Sequence, residues 1–124
     1  MEDRAMQFED LEAWQLARRL VLHVYRLTGS AGLNHDFGLK AQIQRAAVSV
    51  MSNLAEGFER RSINEKRQFY SIARASCGET RSLLYLIEDL FPALPTAAAE
   101  ARSQCITIGK LISGLIKSTE NRQP

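Results

Sequence analysis

The first proline in this chain is Pro92, and only Pro95 and Pro124 follow it. Everything before Pro92 keeps its backbone N–H groups, so a long N-terminal region is free to be helical. No alternating polar and apolar run of useful length competes for it, and no internal repeat is present. The punctuation is instead supplied by Gly29-Ser30-Ala31-Gly32, by Gly57, and by Phe91-Pro92-Ala93-Leu94-Pro95. These signals cut the chain into four segments. Each carries apolar residues at three- and four-residue spacing.

The spacing predicts helices over about 8–28, 36–57, 62–90 and 96–118. Residues 1–7 are expected to form a flexible N-terminus and 119–124 a frayed tail, with 8–118 as one domain. In helix 1 the core stripe is Ala13, Leu16, Ala17, Leu20, Val24 and Leu27, widened by Trp14, Val21 and Tyr25. Arg18, Arg19, His23 and Arg26 fall on the other side. Asn34 or Asp36 can cap helix 2, and Gly57 should stop it. Ser62, followed three residues later by Glu65, reads as a capping box opening helix 3. Thr96 is the expected N-cap of helix 4, whose face is Ala101, Cys105, Ile108, Ile112 and Leu115. Short connections favour antiparallel neighbours, so the expected fold is all-α, an up-down-up-down four-helix bundle.

Helix 2 has more apolar surface than one packed face requires. Leu39, Ile43, Ala46, Val50 and Leu54, with Ala47 beside them, make the core stripe. Ala41, Val48, Met51 and Ala55 fall together on another side, interrupted by Gln44. A surface helix of a monomer needs one apolar face, so the second stripe is expected to meet a neighbouring subunit. Helix 3 has a matching oddity. Behind its core face of Phe69, Ile72, Ala73, Ser76, Cys77, Thr80, Leu83, Leu84 and Ile87 runs a ridge of small residues: Ser71, Ala75, Gly78 and Ser82. Glycine inside a helix costs about 1 kcal/mol relative to alanine, so Gly78 suggests a close backbone approach.

A third stripe of helix 2 is polar: Gln42, Arg45, Ser49, Ser52 and Glu56, with Asn53 at its border. About a turn centred near Arg60, Arg45 and Glu79 differ in axial position by about 6 Å, within reach of an arginine. An Arg45–Glu79 pair that fixes register, with Ser49 nearby, is therefore expected. Asn53 and Glu56 are expected to bond the exposed N–H groups that begin helix 3.

No residue pattern points to a reaction. There is no phosphate-binding loop, no dinucleotide fingerprint and no nucleophile elbow, and His23 and His35 have no evident catalytic partners. Cys77 and Cys105 are expected to be free, buried thiols. No metal site or cofactor is expected, because zinc takes about four ligands and the chain has two histidines and no paired cysteines. No small-molecule substrate is evident. No apolar run approaches the roughly 20 residues of a membrane span, and MEDRAMQFEDLEAW lacks a signal peptide's apolar core, so a cytoplasmic protein is expected. The net charge of +2 does not by itself imply nucleic acid. Arg60, Arg61, Lys66 and Arg67 nonetheless crowd one short segment, which makes them the candidate phosphate contacts, with Arg18, Arg19 and Arg26 as further candidates.

The combination of motifs is specific. Phe8-Glu9-Asp10-Leu11 with Trp14 is followed by Gly38-Leu39, Gln42-Ile43-Gln44-Arg45-Ala46-Ala47, Ser49, and Ser52-Asn53-Leu54-Ala55-Glu56-Gly57, then by Ala73 to Glu79. Over nearly its whole length the chain resembles the four-helix-bundle family first noticed in intervening sequences of bacterial large-subunit ribosomal RNA genes. Met51 departs from the family pattern, which usually has proline there; two alternatives stay open, the helix kink that the resemblance implies, or a helix that continues through Met51 and packs it across an interface. The resemblance implies a homopentamer around a central channel, with no assigned activity. A related branch, the accessory variability proteins of diversity-generating retroelements, forms strongly basic pentamers that bind nucleic acid and a reverse transcriptase. This chain lacks that basic balance. The leading expectation is a non-enzymatic oligomeric scaffold that binds an unidentified partner. A nucleic-acid-binding accessory protein is the alternative.

Overall fold

A computed structural model describes residues 5–30 and 32–122. Residues 1–4, Ala31 and residues 123–124, on which parts of the expected tails and of the first turn fall, lie outside the described residues. The chain is all-α, with no strand among the described residues. Its four long helices are α1 (Glu12–Thr28), α2 (Phe37–Glu59), α3 (Ile63–Leu90) and α4 (Pro95–Glu120). Short 3-10 turns, Phe8–Asp10 and Leu33–His35, precede α1 and α2. Each helix packs on its neighbours in the chain and α1 also meets α4, consistent with a bundle closed around one core.

That core is built from the stripes in the sequence. Ala17, Leu20 and Val24 of α1, Ile43, Val50 and Leu54 of α2, Leu84 and Ile87 of α3, and Ala101, Ile108 and Ile112 of α4 are fully enclosed. Burying each of the larger aliphatic chains is worth about 1.5–3 kcal/mol. Leu33, from the 3-10 turn before α2, is sealed into the same cluster. Two expected core members are displaced. Ile72 is 42% exposed and Tyr25 48%. Both sit at the edge of their stripe, turned toward solvent.

The boundaries teach more than the middles. Helix 1 does not run from Phe8. Leu11 is extended (φ −71°, ψ 123°) and separates the 3-10 turn from α1. The Asp10 carboxylate accepts from the Met6 and Gln7 N–H groups at 3.0 and 3.2 Å, so the turn is held by its own cap. At the far end of α1, Gly29 is right-handed (φ −84°). The residue that needs glycine is Gly32, at φ +90°, where a Cβ would also stand 3.2 Å from the Phe91 ring. Asp36 caps α2 by accepting from Leu39 N at 3.1 Å, and Ser62 caps α3 by accepting from Glu65 N at 3.1 Å. Thr96 is not the N-cap of α4. Leu94 takes that place and Pro95 is the first helical residue, where its missing N–H costs nothing. The expected frayed tail is also corrected. α4 continues to Glu120, and Thr119 is only 3% exposed, its hydroxyl donating to Leu115 O at 2.8 Å.

Gly57 does not stop α2, which continues to Glu59. A Cβ on Gly57 would stand 2.7 and 2.8 Å from atoms of the Tyr70 ring. The glycine is there so that an aromatic ring of α3 can lie against the backbone of α2. α2 is also unbroken through Met51.

Candidate functional site

The polar stripe of α2 forms a real seam with α3, but with different partners from those expected. Ser49 Oγ lies 2.8 Å from Ser76 Oγ. Asn53 Nδ2 donates to Ser49 O at 2.8 Å and to Ser49 Oγ at 3.0 Å. Thr80, fully buried, donates to Ser76 O at 2.9 Å. These short groups satisfy one another inside the interface, where an unpaired hydroxyl would be costly.

Glu79 is reached by Gln42 Nε2 at 3.4 Å and not by Arg45. Arg45 is exposed and points away, beside Tyr25, Ala41 and Val48. On the helix wheel Arg45 lies farther from the α3 contact than Gln42 does, so the shorter side chain wins by direction. Ser52 is exposed on the same outward side. Glu56 does not tether α3 either; it pairs with Arg60 at 2.7 Å, one turn along. The connection to α3 is made in the opposite sense. Lys66 Nζ donates to Phe58 O at 2.7 Å and Gly57 O at 3.5 Å, capping the carbonyl end of α2 with a cation.

The four clustered basic residues are therefore mostly committed within the chain. Arg60 holds Glu56 and lies 4.6 Å from the Phe69 ring centroid. Lys66 caps α2 and lies 5.3 Å from the Phe58 ring. Arg67 pairs with Glu120 at 3.4 Å. Arg61 is exposed and, among the described residues, makes no such contact. Among the further candidates, Arg18 lies 5.8 Å from the Trp14 ring. Arg19 and Arg26 border a shallow hollow with His23 and Glu100, where His23 Nδ1 lies 2.9 Å from Gln104 Oε1.

The two stripes assigned to neighbouring subunits behave differently inside one chain. On α2, Met51 and Ala55 are half-buried and lean on the chain's own core. Gln44 donates to Thr28 of α1 at 3.0 Å. This side of the stripe is partly covered by α1. Ala41 is half-buried and Val48 is 38% exposed, and with Tyr25 they border a shallow hollow between α1 and α2. On α3, Ser71, Ala75, Gly78 and Ser82 are all exposed. No atom approaches within 4 Å of a Cβ built on Gly78, so the close approach expected there does not occur within the chain. Gly109 of α4 is equally open.

Gly78 and Gly109 flank a groove between α3 and α4 that also contains Cys77, Cys105, Arg74, Arg81 and Lys110. Both thiols are free and buried. Cys77 Sγ donates to Cys105 O at 3.2 Å. The hydrogen bond with Cys77, together with burial, pushes the Cys105 thiol well above its ordinary range, so it stays protonated. Within the groove, Arg74 Nη1 donates to Ser113 Oγ at 3.1 Å, and outside it Arg102–Glu88 at 2.8 Å also pins α3 to α4.

Sequence reasoning passed over a pocket at one end of the bundle. Where α1 begins and α4 ends, a cavity of about 280 Å³ is walled by Leu11, Ala13, Phe58, Leu111 and Leu115. Its polar lining is Asp10, Glu12, Lys66, Tyr70, Ser118, Thr119 and Arg122. Tyr70 is 2% exposed, and burial pushes its pKa up to about 12 against a weaker opposing pull from Arg122. Lys66 is lowered, first by burial and then by the nearby Arg122 charge, with Glu59 opposing. Tyr70 falls on the Ala73–Cys77 face of α3 and was available to the periodicity reading. The pocket was not, because it draws on the ends of helices far apart in sequence.

Among the described residues, no three His, Cys, Asp or Glu side chains group as a metal site, and no helix is long and apolar enough to cross a membrane. A comparison with curated proteins finds no match. The family model described as 23S rRNA-intervening sequence protein matches residues 9–114, from the turn before α1 to the last third of α4, and includes the Ser49–Gly57 seam and the open α3 ridge. The chain belongs to the 23S rRNA-intervening sequence protein family.

Proposed function

We propose that this protein is a non-enzymatic, cytoplasmic scaffold that assembles as a homopentamer and works by presenting a partner-binding surface in several copies. The observation that carries the reading is the pair of unlike surfaces left on one chain. The α1–α2 side offers Tyr25, Ala41 and Val48; the α3 side offers Ser71, Ala75, Gly78 and Ser82, with open glycines at Gly78 and Gly109. Unlike surfaces pair head to tail, and a head-to-tail contact closes into a ring when its rotation permits. The number five comes from the family resemblance. The family description names a sequence context and no reaction.

The helices are read as up-down-up-down. This is supported by the pairings Gln42–Glu79, Ser49–Ser76 and Phe58–Lys66, in which one number rises as the other falls. Light scattering on the intact protein tests the assembly. The expected mass is that of five chains, and Gly78→Trp or Val48→Trp lowers it to the single chain. An unchanged mass in both variants would contradict the proposed contact.

The alternative reading is a nucleic-acid accessory protein. Arg61 supports it as an uncommitted cation at the α2–α3 turn, repeated around the ring so that weak contacts add by avidity. A low-salt mobility shift with RNA and DNA, weakened by Arg61→Ala, is the expected result. No shift at micromolar pentamer removes this reading.

A further inference from the structure

We propose that the groove between α3 and α4 binds single-stranded nucleic acid through its phosphate backbone. Two facing stripes make this seam. Arg67, Arg74 and Arg81 recur every seven residues along α3, and Lys110 and Lys117 do so along α4. The acids at the two ends of the seam are already taken, Glu120 by Arg67 and Glu88 by Arg102. Between them the groove is lined by Arg74, Arg81 and Lys110, with no acidic side chain among the described residues that border it. Arg74 has a neutral partner, the Ser113 hydroxyl. Arg81 and Lys110 are exposed and, among the described residues, hold no ion pair. Arg81 also stands close enough to the groove floor for its charge to act on the Cys77 and Cys105 thiols. Three like charges in one groove, on a chain of net charge +2, are an uncompensated local surplus.

A nucleic-acid strand suits this groove better than an acidic peptide does. Gly78 and Gly109 leave both helix backbones open, with no atom within 4 Å of a Cβ built on either, so a strand can lie close. The cations form a track along the seam. Arg74 and Arg81 are about 10 Å apart along α3, and Lys110 stands on the opposite wall. One turn beyond Arg81, the Tyr85 ring is 50% exposed, with the Arg102 guanidinium 4.3 Å from its centroid. Cations beside an exposed aromatic ring are the elements of single-strand binding, the former for phosphates and the latter for a stacked base. An acidic peptide would use the cations and leave the ring idle. On the helix wheel Arg74 and Arg81 turn toward α4, while Ser71, Ala75 and Ser82 turn away, so the groove and the proposed subunit contact share only Gly78. The site is separate from Arg61, and every lining group comes from one chain.

The test is fluorescence anisotropy of a labelled oligothymidylate of about 15 nucleotides, titrated with the intact protein across a salt series. Binding is expected, with affinity falling as salt rises. Arg81→Ala combined with Lys110→Ala should weaken it about tenfold at low salt and reduce the slope of log affinity against log salt by about 1.4. Both side chains are exposed, so the melting curve of this variant should match the parent's. Tyr85→Ala should weaken binding about fivefold, and Tyr85→Trp should restore it. Absence of binding at low salt overturns the proposal. So does binding that the Arg81 and Lys110 substitutions leave unchanged, or binding indifferent to Tyr85→Ala. Equal binding of poly-glutamate would mark an acidic protein partner and overturn it too. A loss confined to Arg61→Ala would keep nucleic acid at the α2–α3 turn and overturn the groove.

Discussion

α3 meets its two main neighbours in different ways. Against α2 it is closed: Ser49 meets Ser76, Gln42 meets Glu79, and the Tyr70 ring lies on the Gly57 backbone. Against α4 it is well packed below, at Cys77 and Cys105, but Gly78 and Gly109 at the surface have nothing near them. Both seams contain glycine, and the glycines serve opposite ends. Gly57 makes room for a ring of the same chain. Gly78 and Gly109 leave room that the same chain does not use. The first seam is complete in one subunit. The second ends in a groove, and the small ridge of α3 continues from it across the exposed surface.

The contrast is sharpest when the same substitution is made on both sides. Gly57→Ala puts a methyl group inside the contact distance of the Tyr70 ring and is expected to destabilise by about 3 kcal/mol, read from denaturant melts. Gly78→Ala, in open space on a helix, should stabilise the single chain by up to about 1 kcal/mol through helix propensity. Equal effects at the two positions would erase the distinction between the seams.

A pH titration probes the closed seam next. The Tyr70 pKa is raised, from 10.0 to about 12, so between those values the unfolded chain loses a proton that the folded chain keeps. The contribution is fully present below pH 10.0 and is lost as pH rises toward 12. It amounts to about 3 kcal/mol over that interval. Tyr70→Phe should flatten this part of the stability profile, and a profile unchanged by the substitution would remove Tyr70 as its cause.

A smaller effect is expected at the centre of the seam. Ser49→Ala removes the partner of Ser76 and one of the two acceptors of Asn53, at a cost of about 1–2 kcal/mol. Because Asn53 keeps the Ser49 carbonyl, the loss should be shared. A double cycle with Ser76→Ala should therefore recover part of it; full additivity would mean that the two hydroxyls do not interact.

Four helices and their core stripes were legible from periodicity because each buries one face, and that face repeats with the helix. The polar seam was legible as a stripe but not as a set of bonds. Arg45 and Gln42 differ by a few tens of degrees on the wheel, and only the packing of α2 on α3 decides which reaches Glu79. Gly57 was misread as a stop because its reason lies in Tyr70, on another helix. Thr119 was misread as tail because nothing local marks the end cavity that its neighbours line. Lys66 was read as a candidate phosphate contact, although its ammonium caps the carbonyls of α2. Contacts within a helix follow from spacing. Contacts between helix ends require the fold.

The central claim is that the α1–α2 surface of one chain faces the α3 surface of the next. Cross-linking with a bifunctional maleimide tests it directly, on a double variant carrying Val48→Cys and Ala75→Cys and on each single variant. Both introduced thiols lie on exposed positions, whereas Cys77 and Cys105 are buried. The double variant is expected to give a covalent ladder ending at five chains, and the single variants only single chains. Cross-linked dimers from either single variant, or no ladder from the double variant, would contradict the head-to-tail ring.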